Sequence, residues 1–197
     1  WGVDGHNSHT NVCSASSRLG YYLWAGFDRP SPDYANAQCI LLISSHLETG
    51  HYFNPHAQRI IEGKKNGAKL IVLDTRLSNT ATHADHWLSP YPGSEPAIFL
   101  AVANWMIREG RYDREFVRRW WNWKDYMEVV EGEENASFER FEEVLAGLYD
   151  TYTFDFAAAE SGIDASILEQ VAEVISTAGT SLSTYNWRSA GSGNLGG

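Results

Sequence analysis

The chain has 197 residues, 43% of them hydrophobic, including eight tryptophans and ten tyrosines, which is material for a sizeable packed core and argues against disorder. A net charge of −10 excludes the clustered cationic surface that a nucleic-acid backbone requires, so no nucleic-acid partner is expected. No apolar run reaches the roughly 18 residues of a membrane helix, so no membrane span is expected in this segment.

Residues 1–11 are polar and rich in Gly, His and Asn, and read as loop. VCSASSRLGYYLWA (12–25) predicts a helix that starts near Cys13. After a two-proline loop, QCILLISS is a continuous apolar run ending in small polar residues, the pattern of a strand buried on both faces. HLETGHYF is a loop. NPHAQRIIEGKKNGA predicts a helix capped by Asn54, with Pro55 in its first turn and Ala57, Ile60 and Ile61 on one face. Asn66-Gly67 ends it, and KLIVLD is a second buried strand. Together these pieces form a β-α-β unit, expected to cross over right-handed.

A loop, TRLSNTATHAD, leads to a short strand around HWLSP and a turn at YPGSE. EPAIFLAVANWMIRE (95–109) predicts a helix, and DREFVRRWWNWKDYMEVV another, broken near Asn122. FERFEEVLAGLYD and ASILEQVAEVISTAG are further helices, the second capped by Asp164. SLSTYNW reads as a strand and RSAGSGNLGG as a glycine-rich exit. The alternation predicts an α/β domain whose sheet is mostly parallel, Rossmann-like and flanked by helices. Four parts follow. Residues 1–36 lead into the sheet, 37–110 form the β-α-β core, 111–178 are helical, and 179–197 carry the return strand and glycine-rich loop. Ligands of such sheets bind beyond the carboxyl ends of the strands, so SSHLETGH, DTRLSNTATHAD and RSAGSGNLGG are the candidate site loops.

Single features divide between a bland and a functional reading. The acidic run EVVEGEENASFERFEE (128–143) reads as a solvated face, with binding of a basic partner as the alternative. GSGNLG (191–196) matches GxGxxG, but the sequence stops at Gly197, short of the helix and the acid about 20 residues on that the fingerprint needs, so the match reads as a glycine-rich loop that approaches some other nucleotide rather than as a nicotinamide site. His83 and His86 form an HxxH without a cysteine or carboxylate at metal-ligand spacing, so they read as loop hydrogen-bonders. WWNW (120–123) reads as core or interface. Asn135-Ala136-Ser137 is a glycosylation tripeptide of a kind common by chance. Asp74 closes the second strand, where a carboxylate either takes ribose hydroxyls or caps a turn. Arg76 either meets a phosphate or base, or makes a structural ion pair. Cys13 alone reads as a small buried residue. At a helix start, however, the dipole lowers a thiol's pKa and makes it a competent metal ligand. Cys13 and Cys39 are the only cysteines, and nothing in their spacing demands a disulfide.

The order of these pieces is more specific than any of them. A Cys ahead of a helix, a strand, a loop ending near NPH, and then GAKLIVLDTRLSNTATHADHWLSPYPGSEPAIFLAVANWMI resembles the molybdopterin oxidoreductases of the dimethyl sulfoxide reductase family, in the branch with a cysteine ligand. The likeness spans essentially the whole chain and about a quarter of a typical catalytic subunit, which is built of several ordinary domains. It implies the central part of a larger multidomain subunit, expected to be inactive alone.

The resemblance implies a bis-(molybdopterin guanine dinucleotide) cofactor carrying molybdenum or tungsten, with an iron–sulfur cluster elsewhere in the full subunit and an iron–sulfur electron-transfer partner. It places Cys13 as metal ligand and catalytic residue. Ser44, Ser45, His46 and Glu48 would line one arm of the cofactor, and Asp74, Thr75 and Arg76 would contact a guanosine. Gly93, Ser94 and Glu95 would sit at the base, and Trp187, Arg188 and Ser192 near the pterin. The family's Gly-x-Asn is Ser44-Ser45-His46 here, its Asp-Pro-Arg has Thr75 in place of Pro, and its Pro-Gly-Thr-Asp ends in Glu95. Ser14 stands where formate dehydrogenases of the family carry His, which disfavours formate. The implied function is two-electron redox chemistry on a small oxyanion or sulfur compound. The alternative is a metal-free homologue serving as a scaffold in a larger redox complex.

Overall fold

The computed structural model describes residues 19–23, 26, 32–45 and 56–184. Within them, four parallel strands form one sheet: β1 (Cys39–Ile43), β2 (Lys69–Leu73), β3 (His86–Leu88) and β4 (Leu182–Thr184), in the order β3-β2-β1-β4. α1 (His56–Lys65) connects β1 to β2. Residues 19–23 are helical, while Cys13, Asn54 and Pro55 lie outside the described residues. The pairing is in register, with Ile43 opposite Leu73 and Leu73 opposite Leu88, so the carboxyl ends of β1, β2 and β3 lie level.

The apolar runs are continuous because both faces of the sheet are covered. Cys39, Leu41, Ile71, Leu73 and Leu88 pack against α2 (Glu95–Arg108), α6 (Phe154–Ser161) and α7 (Ala165–Ala178) through Ile98, Ala101, Ala157, Leu168 and Val171. The alternate residues Ile40, Leu42, Leu70 and Val72 pack against Ile60 of α1 and against Tyr34, Ala37, Ala68 and Ala81. Three further helices have their own core. α3 (Arg114–Trp120), α4 (Trp123–Val129) and α5 (Phe138–Tyr149) meet through Val117, Trp123, Met127, Phe138 and Phe141. The break expected near Asn122 separates α3 from α4. Of the WWNW run, Trp123 is core, whereas Trp120 is 66% exposed with the Arg119 guanidinium over its ring.

Part of the acidic run is ion-paired within its own neighbourhood. Arg140 bonds Glu133 and Glu143, and Arg114 bonds Glu139 and Glu142. The Arg114 guanidinium holds the Glu142 carboxyl below the usual range against the opposing effect of burial. α6 was not anticipated from the sequence. Thr153 caps it by accepting the Phe156 N–H, and Gly162 at φ 74° closes it in the left-handed conformation. None of the described helices is long and apolar enough to cross a membrane.

At the amino end of the sheet, Asp85 ties β2 to the approach to β3. Its backbone N–H donates to the Leu70 carbonyl (2.8 Å), and its Oδ2 accepts from the Leu70 N–H (2.8 Å) and the Lys64 ammonium (2.7 Å). Burial pushes this carboxyl up, but the Leu70 bond and the charges of Lys64 and Lys69 outweigh it, and the net shift is downward. Asp85→Asn is expected to cost about 2 kcal/mol, the usual worth of charge-assisted bonds. The sign follows from the depressed pKa. Asp85's contribution is fully present above the unfolded carboxylate value of about 3.9 and is lost as pH falls through its lower folded pKa. Denaturant titrations at pH 7 and at pH 3 check this, with the gap between wild type and Asp85→Asn narrower at the lower pH.

Candidate functional site

The first residue past each of the inner strand ends is stitched to the next strand. The Ser44 N–H donates to the Leu73 carbonyl (2.7 Å), and the Asp74 N–H donates to the Leu88 carbonyl (3.0 Å). Ser44, Asp74 and Ser89 therefore stand in a row along the carboxyl edge of the sheet, each opening a loop.

Asp74 is half-buried, and its Oδ1 accepts the Arg76 N–H at 3.0 Å, closing an Asx-turn. One oxygen thus does the turn-capping that spacing alone left open, while Oδ2 takes no part in that bond. The backbone of this loop is pinned from β3, since the Trp87 indole N–H donates to the Asp74 carbonyl (2.9 Å) and the Ser89 hydroxyl to the Thr75 carbonyl (3.3 Å). Thr75 and Arg76 are exposed, and no carboxylate among the described residues forms an ion pair with Arg76. A fixed carboxylate and an unpaired guanidinium two residues apart can take N–H or O–H donors on one side and phosphate oxygens on the other.

The turn after β3 has a different construction. Pro92-Gly93 occupies the centre of a tight turn, with Gly93 at φ 90° and the Ser94 N–H returning to the Tyr91 carbonyl at 3.1 Å. The Ser94 hydroxyl donates to the same carbonyl (2.6 Å) and is buried. Glu95 opens α2, and its Oε2 accepts the Gly93 N–H at 3.0 Å. The Tyr91 N–H donates to the Ser161 carbonyl (3.0 Å), so the corner after α6 carries this turn. Ser45 is likewise buried, its hydroxyl donating to the Ile43 carbonyl at 3.0 Å.

The structure thus brings together Ser44, Asp74, Thr75 and Arg76, sets Gly93, Ser94 and Glu95 in the next loop of the same edge, and turns the hydroxyls of Ser45 and Ser94 into the fold. Cys13, His46, Glu48, Trp187, Arg188 and Ser192 lie outside the described residues. Trp87 and Ser89 were not anticipated as supports of this edge. Their roles depend on the β2–β3 register, which no local spacing encodes. Cys39 has no role here. It is fully buried in β1, and burial, aided by the Asp85 charge, pushes its thiol up to about 11.

The family model described as molybdopterin oxidoreductase matches residues 4–186. The alpha subunit of an F420-dependent formate dehydrogenase from Methanocaldococcus jannaschii is 30% identical over 146 residues, 74% of this chain and 19% of that protein. The molybdopterin-containing subunit of an arsenate respiratory reductase from Chrysiogenes arsenatis is 28% identical over 179 residues, 84% of this chain and 20% of that protein. Among solved structures, acetylene hydratase from Pelobacter acetylenicus superposes with a TM-score of 0.72 at 26% identity, covering 92% of this chain and 22% of that one. The chain spans about a fifth of the length of these relatives, somewhat less than the quarter expected from its sequence.

Proposed function

The chain belongs to the molybdopterin oxidoreductase family, and from that premise we propose that it is the guanine-dinucleotide-binding core of a larger catalytic subunit performing two-electron redox chemistry on a small oxyanion or sulfur compound. The observation that carries the reading is the strand order. β1, β2 and β3 succeed one another to one side, and β4 then lies on the other side of β1. This reads as a Rossmann-like half sheet, in which the ligand crevice opens where the order reverses, at the carboxyl ends of β1 and β4. Ser44 lies at that point, and Asp74 and Arg76 on the neighbouring strand end.

The donor set suits the proposed group. Asp74 Oδ2 would take hydrogens from the guanosine, Arg76 would meet a phosphate, and Glu95 would offer Oε1 while Oε2 keeps the turn closed. Cys13 would bind the molybdenum or tungsten. When bound, the bis-(molybdopterin guanine dinucleotide) cofactor supplies the electron-pair chemistry, and the chain holds and orients it. An iron–sulfur cluster in the rest of the subunit and an iron–sulfur electron-transfer partner complete the proposal.

The test is metal analysis with nucleotide extraction on the intact native protein. Molybdenum or tungsten together with guanine nucleotide is the expected result. A protein that yields neither would be the metal-free scaffold and would overturn the reading.

A further inference from the structure

α3 carries a surface that its own core does not use. Val117 turns inward to meet Trp123, Met127, Phe138 and Phe141. Phe116 and Trp120 stand one turn apart on the same helix and are therefore neighbours, yet they are 53% and 66% exposed. The cations of this region divide into two groups. Arg108, Arg111, Arg114 and Arg140 each hold a carboxylate. Arg118, Arg119 and Lys124 instead lie over the rings of Phe138, Trp120 and Trp123, at 5.9, 5.2 and 5.4 Å. Among the described residues these three form no ion pair. On a chain of net charge −10, α3 and the start of α4 thus present cations on aromatic rings, with an exposed Phe–Trp pair among them. Trp and Arg are the residue types that most often anchor protein interfaces.

We propose that this face is an interdomain contact. A further part of the same polypeptide, outside residues 1–197, seats an apolar surface on Phe116 and Trp120 and sets carboxylates against Arg118, Arg119 and Lys124. The inference rests on the reading of the chain as part of a larger subunit and assigns that subunit one of its internal interfaces. The chain spans about a fifth of the length of its relatives, which leaves ample protein to cover the face. Charge decides against the other occupants. A second copy docked face to face would bring the same cations together. An anionic bilayer would be repelled by Glu115, Asp125 and Glu128 on the same two helices. An acidic domain on the same chain meets neither obstacle, and its tether keeps it at high local concentration.

The experiment introduces the photo-crosslinker p-benzoylphenylalanine in place of Phe116 in the full-length native protein and identifies the joined peptide by mass spectrometry. The expected product keeps the mass of one polypeptide and joins position 116 to a peptide from outside residues 1–197 that carries Asp or Glu. In parallel, Trp120→Ala should speed native-state proteolysis of the full-length protein about tenfold, the equivalent of losing one interface anchor. Val129→Ala, at a residue 80% exposed on α4, is the control and should leave the rate unchanged. A crosslink to another protein, to a second copy or to lipid would overturn the inference. So would the absence of any crosslink, or wild-type proteolysis of Trp120→Ala. A native polypeptide no longer than 197 residues would overturn the larger-subunit reading instead, so the two failures are distinct.

Discussion

Cys13→Ala in the full-length protein is expected to abolish turnover and lower metal content, while thermal unfolding stays within a few degrees of wild type. The chain has two cysteines, and the structural environment of Cys39 and the sequence context of Cys13 predict opposite behaviour. Cys39 is fully buried in the central strand with its thiol pushed up to about 11, so at neutral pH it stays protonated and inert. Cys13 is followed by Ser14, Ala15, Ser16 and Ser17 at the start of a segment with helical pattern, where a thiolate would be stabilised by backbone N–H groups. Losing an outer-shell partner of a metal ligand already costs roughly 10–100-fold in affinity or activity, and losing the ligand itself should cost more. Cys39→Ala is the matched control. It should lose some stability to the small cavity and keep its metal and activity. An active Cys13→Ala protein with normal metal content would remove Cys13 from the metal's coordination sphere, whatever the rest of the site does.

What the sequence made legible follows from what buried strands require. CILLI and KLIVL stand out because parallel strands covered on both faces are apolar at successive buried positions rather than at alternate ones, with only Ile43 and Lys69 exposed at their ends, and each run ends where the site loop begins. The sequence alone therefore places Asp74 at a strand end. α6 was harder to see. FDFAAAES is short and rich in alanine, so it shows no apolar stripe, and only its ends, Thr153 and Gly162, carry a helix signal. The direction of small polar side chains was not legible either. Ser44 and Ser45 are chemically identical and adjacent, yet one is exposed and strained while the other is buried on the Ile43 carbonyl. Asp85 belongs to the Ala-Asp of the family signature, yet it bonds Leu70 at the amino end of β2, opposite the edge that holds Asp74. A signature residue can thus serve the sheet rather than the ligand, and only the register of β2 separates the two cases.

Gly63→Ala and Gly147→Ala make the same chemical change in two helices and are expected to shift stability in opposite directions. By helix propensity alone both should stabilise, since alanine is favoured over glycine in a helix interior by about 1 kcal/mol. Gly147 lies on an exposed face of α5 with nothing within 4 Å of an added Cβ, so propensity decides and a gain of about 0.5–1 kcal/mol is expected. Gly63 lies buried in α1 where the chain leading into β1 crosses it. An added Cβ would stand 2.2 Å from the Tyr34 carbonyl oxygen and 3.1 Å from Ile40 Cδ1. The first obstacle is backbone and cannot rotate away, so either α1 lifts off the sheet or residues 34–37 are displaced. Both movements open the cluster of Tyr34, Ala37, Ile40 and Ile60. Overpacking of this kind costs about 1–3 kcal/mol, and against a backbone obstacle the upper half of that range applies, leaving a net loss of about 1–2 kcal/mol after the propensity gain. Denaturant midpoints for the two variants, measured against wild type in the full-length protein, decide the matter. If Gly63→Ala were as stable as Gly147→Ala, α1 would not be packed as closely on the Tyr34 backbone as described, and the close seating of the β1–β2 connection would fall with it.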